Sequence, residues 1–350
     1  MSFRKLYSII LAVAVVASAA SCKKDKDTEA SPSLDGMLRF SIPGYISPKD
    51  VLIITPRGLS HPEGKGIGYS WRVSPGMSKS DTTRLENGLT PEGHESDGSF
   101  RYHFPDSLGT YTVSCYGFAD GYTSSYASAY TTVVKGGLNG TIKGTGILTT
   151  DKKINTDNTT YYYVEHDGVE WFRNNLANPS YGVSYTNAPA MLNVFGNFYS
   201  YEEAMHACPE GWRLPTDAEW VALVNSINPD AKAVVGKPAK GIAADLMSNI
   251  SFNDTEMWEY WPTVGEFTNK SKLAAIPAGY ANLGEKAEDG SYPTAAFFGI
   301  NEYAAFWTAD KVEGEDMAYY RYIICDQPDL QIGKGDTESF GANVRCVRNK

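Results

Sequence analysis

The chain is short of positive charge: 31 Lys and Arg stand against 41 Asp and Glu in 350 residues, a formal net charge of −10. An acidic chain with no basic stripe excludes nucleic acid as an expected partner. Histidine is scarce too. His61, His94, His103, His166 and His206 show no metal spacing such as i, i+4 on one helix. No Ser/His/Asp set, phosphate loop or nucleophile elbow is visible. Nearby acids are common in any acidic protein, so paired carboxylates alone do not support a glycosidase. The expectation is a non-enzymatic protein without cofactor or metal. The apolar run from Leu6 to Ala20 falls short of the ~20 residues that span a bilayer as a helix.

That run suits the hydrophobic core of a secretory signal. Arg4 and Lys5 precede it, and Ala19-Ala20-Ser21-Cys22 closes it, small residues leading directly into a cysteine. The arrangement resembles a lipobox, with Ala19 where Leu is usual, a relaxed form similar to that of Bacteroidota-type lipoproteins. The resemblance implies a signal peptide over 1–21, diacylation of Cys22, and a membrane as partner through two or more acyl chains. Removing residues 1–21 takes away two positive charges and moves the net charge to −12. Residues 22–36, charged and without apolar anchors, read as a flexible tether. The expected location is the outer membrane, on the cell-surface side.

From 37 to 135 alternation dominates. Met37–Ile42, Val51–Ile54, Gly68–Val73, Ser99–Phe104, Gly109–Cys115 and Ala129–Val134 read as short strands separated by Gly, Pro, Asp and Ser. Short strands with almost no helical period predict a two-sheet sandwich. Tyr69-Ser70-Trp71 and Gly109-Thr110-Tyr111-Thr112-Val113 resemble motifs of polycystic-kidney-disease-type (PKD) and related immunoglobulin-like modules, which implies a spacer. Cys115 lacks an obvious partner and reads as a buried thiol. Asp81-Thr82-Thr83 and Asp106-Ser107-Leu108 resemble O-glycosylation sequons, although turns favour Asp and Ser anyway. Residues 136–159, rich in Gly, Thr, Lys and Asn, read as a linker in which Thr141-Ile142-Lys143 closes the sandwich.

The stretch 160–350 is more specific. Ser200-Tyr201-Glu202-Glu203 and Thr216-Asp217-Ala218-Glu219 are capping boxes, each opening a helix. In the second helix Trp220, Leu223, Val224 and Ile227 follow i, i+3, i+4, i+7 on one face. The run Cys208-Pro209-Glu210-Gly211-Trp212-Arg213-Leu214-Pro215-Thr216-Asp217-Ala218-Glu219-Trp220 closely resembles the signature of the Fibrobacter-type major paralogous (FISUMP) domain. Trp171-Phe172-Arg173-Asn174-Asn175-Leu176, Phe306-Trp307-Thr308-Ala309 and Gly341-Ala342-Asn343-Val344-Arg345-Cys346-Val347 agree with it in order. The resemblance implies an α+β C-type-lectin-like fold whose first and last strands meet, and a Cys208–Cys346 disulfide. The expected fold is thus an all-β immunoglobulin/PKD-like sandwich followed by an α+β C-type-lectin-like domain.

Two rival motifs are weaker. Arg213–Trp220 is also similar to a run in sulfatase-modifying enzymes, but no close cysteine pair surrounds Cys325. Gln327-Pro328-Asp329 matches a lectin Ca²⁺ tripeptide, yet it follows Trp307-Thr308-Ala309-Asp310 instead of preceding it, so a turn on Pro328 is expected. The aromatic-rich stretch 250–305 is the expected recognition surface, with Trp258, Trp261 and Tyr280 as candidate contacts for a glycan or protein. The alternative is a structural component of an envelope or fimbrial assembly.

Overall fold

The computed structural model describes residues 31–76, 98–134, 143–144, 152–156, 159–248, 250–253, 255–258 and 267–350. Strand outweighs helix throughout, and no described helix is long and apolar enough to cross a membrane. The chain divides into two compact units, with the boundary between Val133 and Val134. Cys22, the signal and most of the tether lie outside the described residues, as do Trp261 and Asp81-Thr82-Thr83.

In the first unit, strand Gly109–Phe118 lies between Gly68–Pro75 and Ser125–Val133, antiparallel to both. Tyr45–Ile46 adds a parallel edge beside Thr132 and Val133. The period-2 alternation of a half-buried strand sends Trp71, Val73, Tyr111, Val113 and Cys115 inward. Val51–Ile54 pairs with Phe100–His103 and contributes Ile54 and Phe100 to the same core. The Trp71 and Phe100 rings stack at 5.3 Å, and the Trp71 indole N–H donates to the Gly98 carbonyl at 3.0 Å. The Tyr111 hydroxyl donates to the Ser107 carbonyl four residues upstream, at 3.0 Å. Cys115 is fully buried and in no disulfide, and burial pushes its thiol up.

Three readings of this unit need correction. It begins before residue 37: Leu34 is buried, and the first strand is Asp35–Arg39, which excludes Phe40–Ile42. Its partner, Arg57–Ser60, has no apolar alternation to announce it. The two strands meet at glycines, where a Cβ on Gly36 would lie 2.1 Å from the Gly58 carbonyl oxygen. The expected closing strand near 143 instead belongs to the second unit, where Lys143–Gly144 pairs with Ile250 and Ser251. Residues assigned to a linker also include Lys153–Thr156, which pairs with Thr159–His166.

In the second unit, Val169–Phe172 lies between Thr159–His166 and Val347–Asn349, so strands far apart in sequence close one antiparallel sheet. Asp167-Gly168, both at positive φ, turn Thr159–His166 into Val169–Phe172, as a two-residue type I′ connection requires. Both capping boxes form as read. Ser200 caps Tyr201–Ala207 and Thr216 caps Asp217–Ile227, with Glu203 and Glu219 returning bonds to the cap backbone.

The central sheet runs Tyr303–Lys311, Met317–Ile324, Gln331–Asp336, each antiparallel to the next. Its alternation feeds two cores. Phe306 and Ile323 face Trp220, Leu223 and Val224 of the longer helix. Ala305, Trp307 and Ala318 face Ala204 and Ala207 of the shorter one. A smaller sheet runs Ala296–Phe298, Tyr280–Asn282, Phe340–Gly341, each antiparallel to the next.

Candidate functional site

Three buried devices hold the second unit. The first is the Cys208–Cys346 disulfide, which closes a separation of 138 residues. The second is Arg345, whose guanidinium is caged by neutral oxygens. It donates to Asn175 Oδ1 at 2.7 Å, to Leu273 O at 2.7 Å, and to the carbonyls of Phe172, Arg173 and Ala274. Burial, with Arg173 nearby, pulls its proton affinity down to about 9. The third is the Asp217–Arg321 pair, 2.5 Å apart with neither side chain more than 3% exposed. It ties the helix N-terminus to the central sheet.

The motif shared with sulfatase-modifying enzymes has a structural use here. Arg213 forks onto Glu219 at 2.6 and 2.8 Å, and Glu219 also accepts from the Thr216 N–H at 2.8 Å. Burial pushes the Glu219 carboxyl up, but the bonds from Arg213 and Thr216 outweigh it and hold it below its ordinary value. The Gln327-Pro328-Asp329 tripeptide forms a bend, in which Asp329 accepts from the Gly241 N–H at 2.8 Å.

The three aromatic candidates separate. Trp258 is 1% exposed, and its indole N–H donates to the Ala275 carbonyl at 3.2 Å. Its ring packs in the core beside Leu246, Leu273 and Phe267, so it offers no surface to a ligand and that assignment is corrected. Trp261 lies outside the described residues. Tyr280 sits within a band of half-buried rings.

That band is built by two sheets. Tyr280 stacks on Phe298 at 5.6 Å and contacts Tyr303 at 5.1 Å and Phe340 at 5.7 Å. Phe340 lies 4.5 Å from Tyr320, Tyr320 lies 5.4 Å from Tyr322, and Tyr322 stacks on Tyr303 at 5.0 Å. Trp307, fully buried, meets Phe340 edge-on at 5.4 Å, and its indole N–H donates to the Tyr199 carbonyl. Phe298 is 46% exposed.

Glycines make the band possible. Tyr320 faces Gly333 across the ladder, and a Cβ there would lie 2.7 Å from its Cζ. Phe340 and Trp307 cover Gly335 in the same way. An aromatic ring laid over a strand glycine shields the bare backbone. Burial, then the neighbouring Tyr320, raises the Tyr303 phenol well above its ordinary value, and burial likewise raises Tyr320. Both therefore stay neutral hydrogen-bonding groups at any physiological pH. Sequence reading missed Tyr303, Tyr320, Tyr322 and Phe340. The signal available was the alternation Ala318-Tyr319-Tyr320-Arg321-Tyr322 beside the glycine alternation of Gly333 and Gly335.

The second unit is thus defined as a mostly β, disulfide-closed module with two box-capped helices and a band of aromatic rings along its sheets. The family described as the Fibrobacter succinogenes major domain matches residues 148–348, and the chain belongs to it. Among curated proteins and solved structures, no match to the chain was found. The matched span starts before residue 160 and takes in the Lys153–Thr156 strand, in agreement with the pairing described above.

Proposed function

We propose that this chain is an outer-membrane, cell-surface lipoprotein, anchored through Cys22, whose second unit recognises a glycan at the aromatic band without catalysing a reaction. The observation that carries the reading is the band itself: Tyr280, Phe298, Tyr303, Tyr320, Tyr322 and Phe340, neighbours at 4.5 to 5.7 Å. Sugar rings present apolar C–H faces and equatorial hydroxyls. Tyrosine matches both, with a flat ring and a hydroxyl that donates and accepts. The band rests on strands and on the buried Trp307, so little order has to be gained on binding.

The first unit serves as the spacer. The Tyr111 hydroxyl bonded to a carbonyl four residues upstream is the corner device of immunoglobulin-like sandwiches, which supports a PKD/immunoglobulin-like assignment. The pairing of Val169–Phe172 with Val347–Asn349 supports a C-type-lectin-like arrangement of the second unit.

The test is a glycan array on the purified protein, followed by titration of Tyr280→Ala and Tyr322→Ala. Each loss costs about 2 kcal/mol as a central contact, a Kd roughly thirtyfold weaker. Absence of any glycan signal, with a protein partner recovered by crosslinking, would overturn the reading in favour of an assembly role.

A further inference from the structure

The segment between Asn228 and Gly241 carries an exposed apolar tip on a base that includes the Asp217–Arg321 pair. Val234 and Val235 are each 54% exposed. Lys232, Lys237 and Lys240 flank them, all exposed, and among the described residues none is in an ion pair. With Asp230, the segment has a net charge of +2 on a chain of −10.

This tip is held from beneath at every step. Asn225 clamps Ala233 in both directions, accepting its N–H at 2.8 Å and donating to its carbonyl at 3.2 Å. The Lys237 N–H closes a turn onto the Val234 carbonyl. Asp217 accepts the Gly236 N–H at 2.7 Å, and Arg321 donates to the Lys237 carbonyl at 2.7 Å. Ala239 then pairs with Leu330 through two backbone bonds of 2.9 Å. The buried ion pair and its neighbours thus fix a turn whose two valines point away from the core. Folding alone does not call for apolar residues there, because exposed turns favour Gly, Asn, Asp and Ser.

We propose that this turn docks on an anionic lipid surface, with Val234 and Val235 entering the acyl boundary and the three lysines lying among the headgroup phosphates. Charge complementarity and the small size of the apolar tip favour this occupant. Two exposed valines on a turn are far smaller than the ~800 Å² per partner of a stable protein interface. A bilayer needs no matching pocket and takes apolar tips flanked by lysine.

The experiment uses the full chain with phosphatidylcholine vesicles, with and without phosphatidylglycerol, and reads hydrogen exchange at residues 232–240. Expected is protection of these amides on the anionic vesicles alone, fading as salt rises. It should be absent in Val234→Asp/Val235→Asp and retained in Val234→Leu/Val235→Leu. Replacing all three lysines with Gln weakens the vesicle affinity read at this segment roughly a hundredfold, about fivefold for each. Both valines are exposed, so an unchanged melting temperature certifies the Asp variant as folded. Vesicle binding with no protection at 232–240, or equal protection in the Asp variant, overturns the proposal whatever the glycan array shows.

Discussion

Removing either partner of the Asp217–Arg321 pair leaves a lone charge inside the second unit. Arg321 is fully buried, and its Nη2 has no partner among the described residues. Its other nitrogens reach only Asp217 Oδ1 and the Lys237 carbonyl. In Arg321→Met, Asp217 keeps the Gly236 N–H on Oδ2 but no cation, at a cost of about 3–5 kcal/mol. In Asp217→Asn the guanidinium loses its counter-charge, and the cost falls in the same range of about 3–5 kcal/mol. The double variant contains no buried charge at this position. It should therefore be destabilised by no more than about either single change, giving a coupling of about 3 kcal/mol or more against simple addition, above the ~0.5 kcal/mol scatter of independent sites. The assay is urea unfolding of wild type, both singles and the double, followed by tryptophan fluorescence, since Trp220 and Trp171 lie in the core this pair anchors. Additivity within about 0.5 kcal/mol would refute the reasoning and make the pair two independent packing contacts.

Two further outcomes are expected. Replacing Cys208 and Cys346 with Ala releases a loop of 138 residues and should lower stability by about 5 kcal/mol in the chain-entropy description. Denaturant midpoints of the variant and wild type measure this, and unchanged midpoints would show the crosslink to be dispensable. His166 lies against the Ser271 carbonyl at 2.7 Å. Burial, opposed in part by that carbonyl, holds its imidazole below the ordinary 6.5. The unfolded chain then binds a proton first, so stability falls as pH drops below 6.5 until the folded value is passed. His166→Gln should flatten that part of a stability-against-pH curve, and an unaltered slope would assign it to other groups.

Local grammar was legible, and long-range register was not. Both capping boxes could be read because Ser200 and Glu203, or Thr216 and Glu219, lie three residues apart and satisfy each other. The disulfide followed from family resemblance, since nothing in the spacing of five cysteines selects 208 with 346. Trp258 failed as a binding candidate because composition cannot tell a tryptophan on a surface from one bonded to the Ala275 carbonyl. The aromatic band needed the register that sets Tyr320 opposite Gly333, and no local pattern supplies that. The Arg345 cage was equally hidden, because four of its five acceptors are backbone carbonyls that any residue would offer. Lys143–Gly144 was placed in the wrong unit for the same reason, since a polar strand carries no mark of its partner.

The cage around Arg345 also bears on timing. Its acceptor Asn175 is 170 residues earlier in the chain, and Leu273 is 72 earlier. Cys346 and Val347 follow at once, bringing the crosslink and the bridge to Arg213. A ribosome has therefore translated nearly the whole domain before the residues that lock it exist. Until then the helices of the second unit have been made, but the sheet that Val347–Asn349 closes is unfinished. A stop codon shortly before position 345 would remove the cage, the crosslink and the Val347–Asn349 strand together, and leave the sheet it closes one strand short.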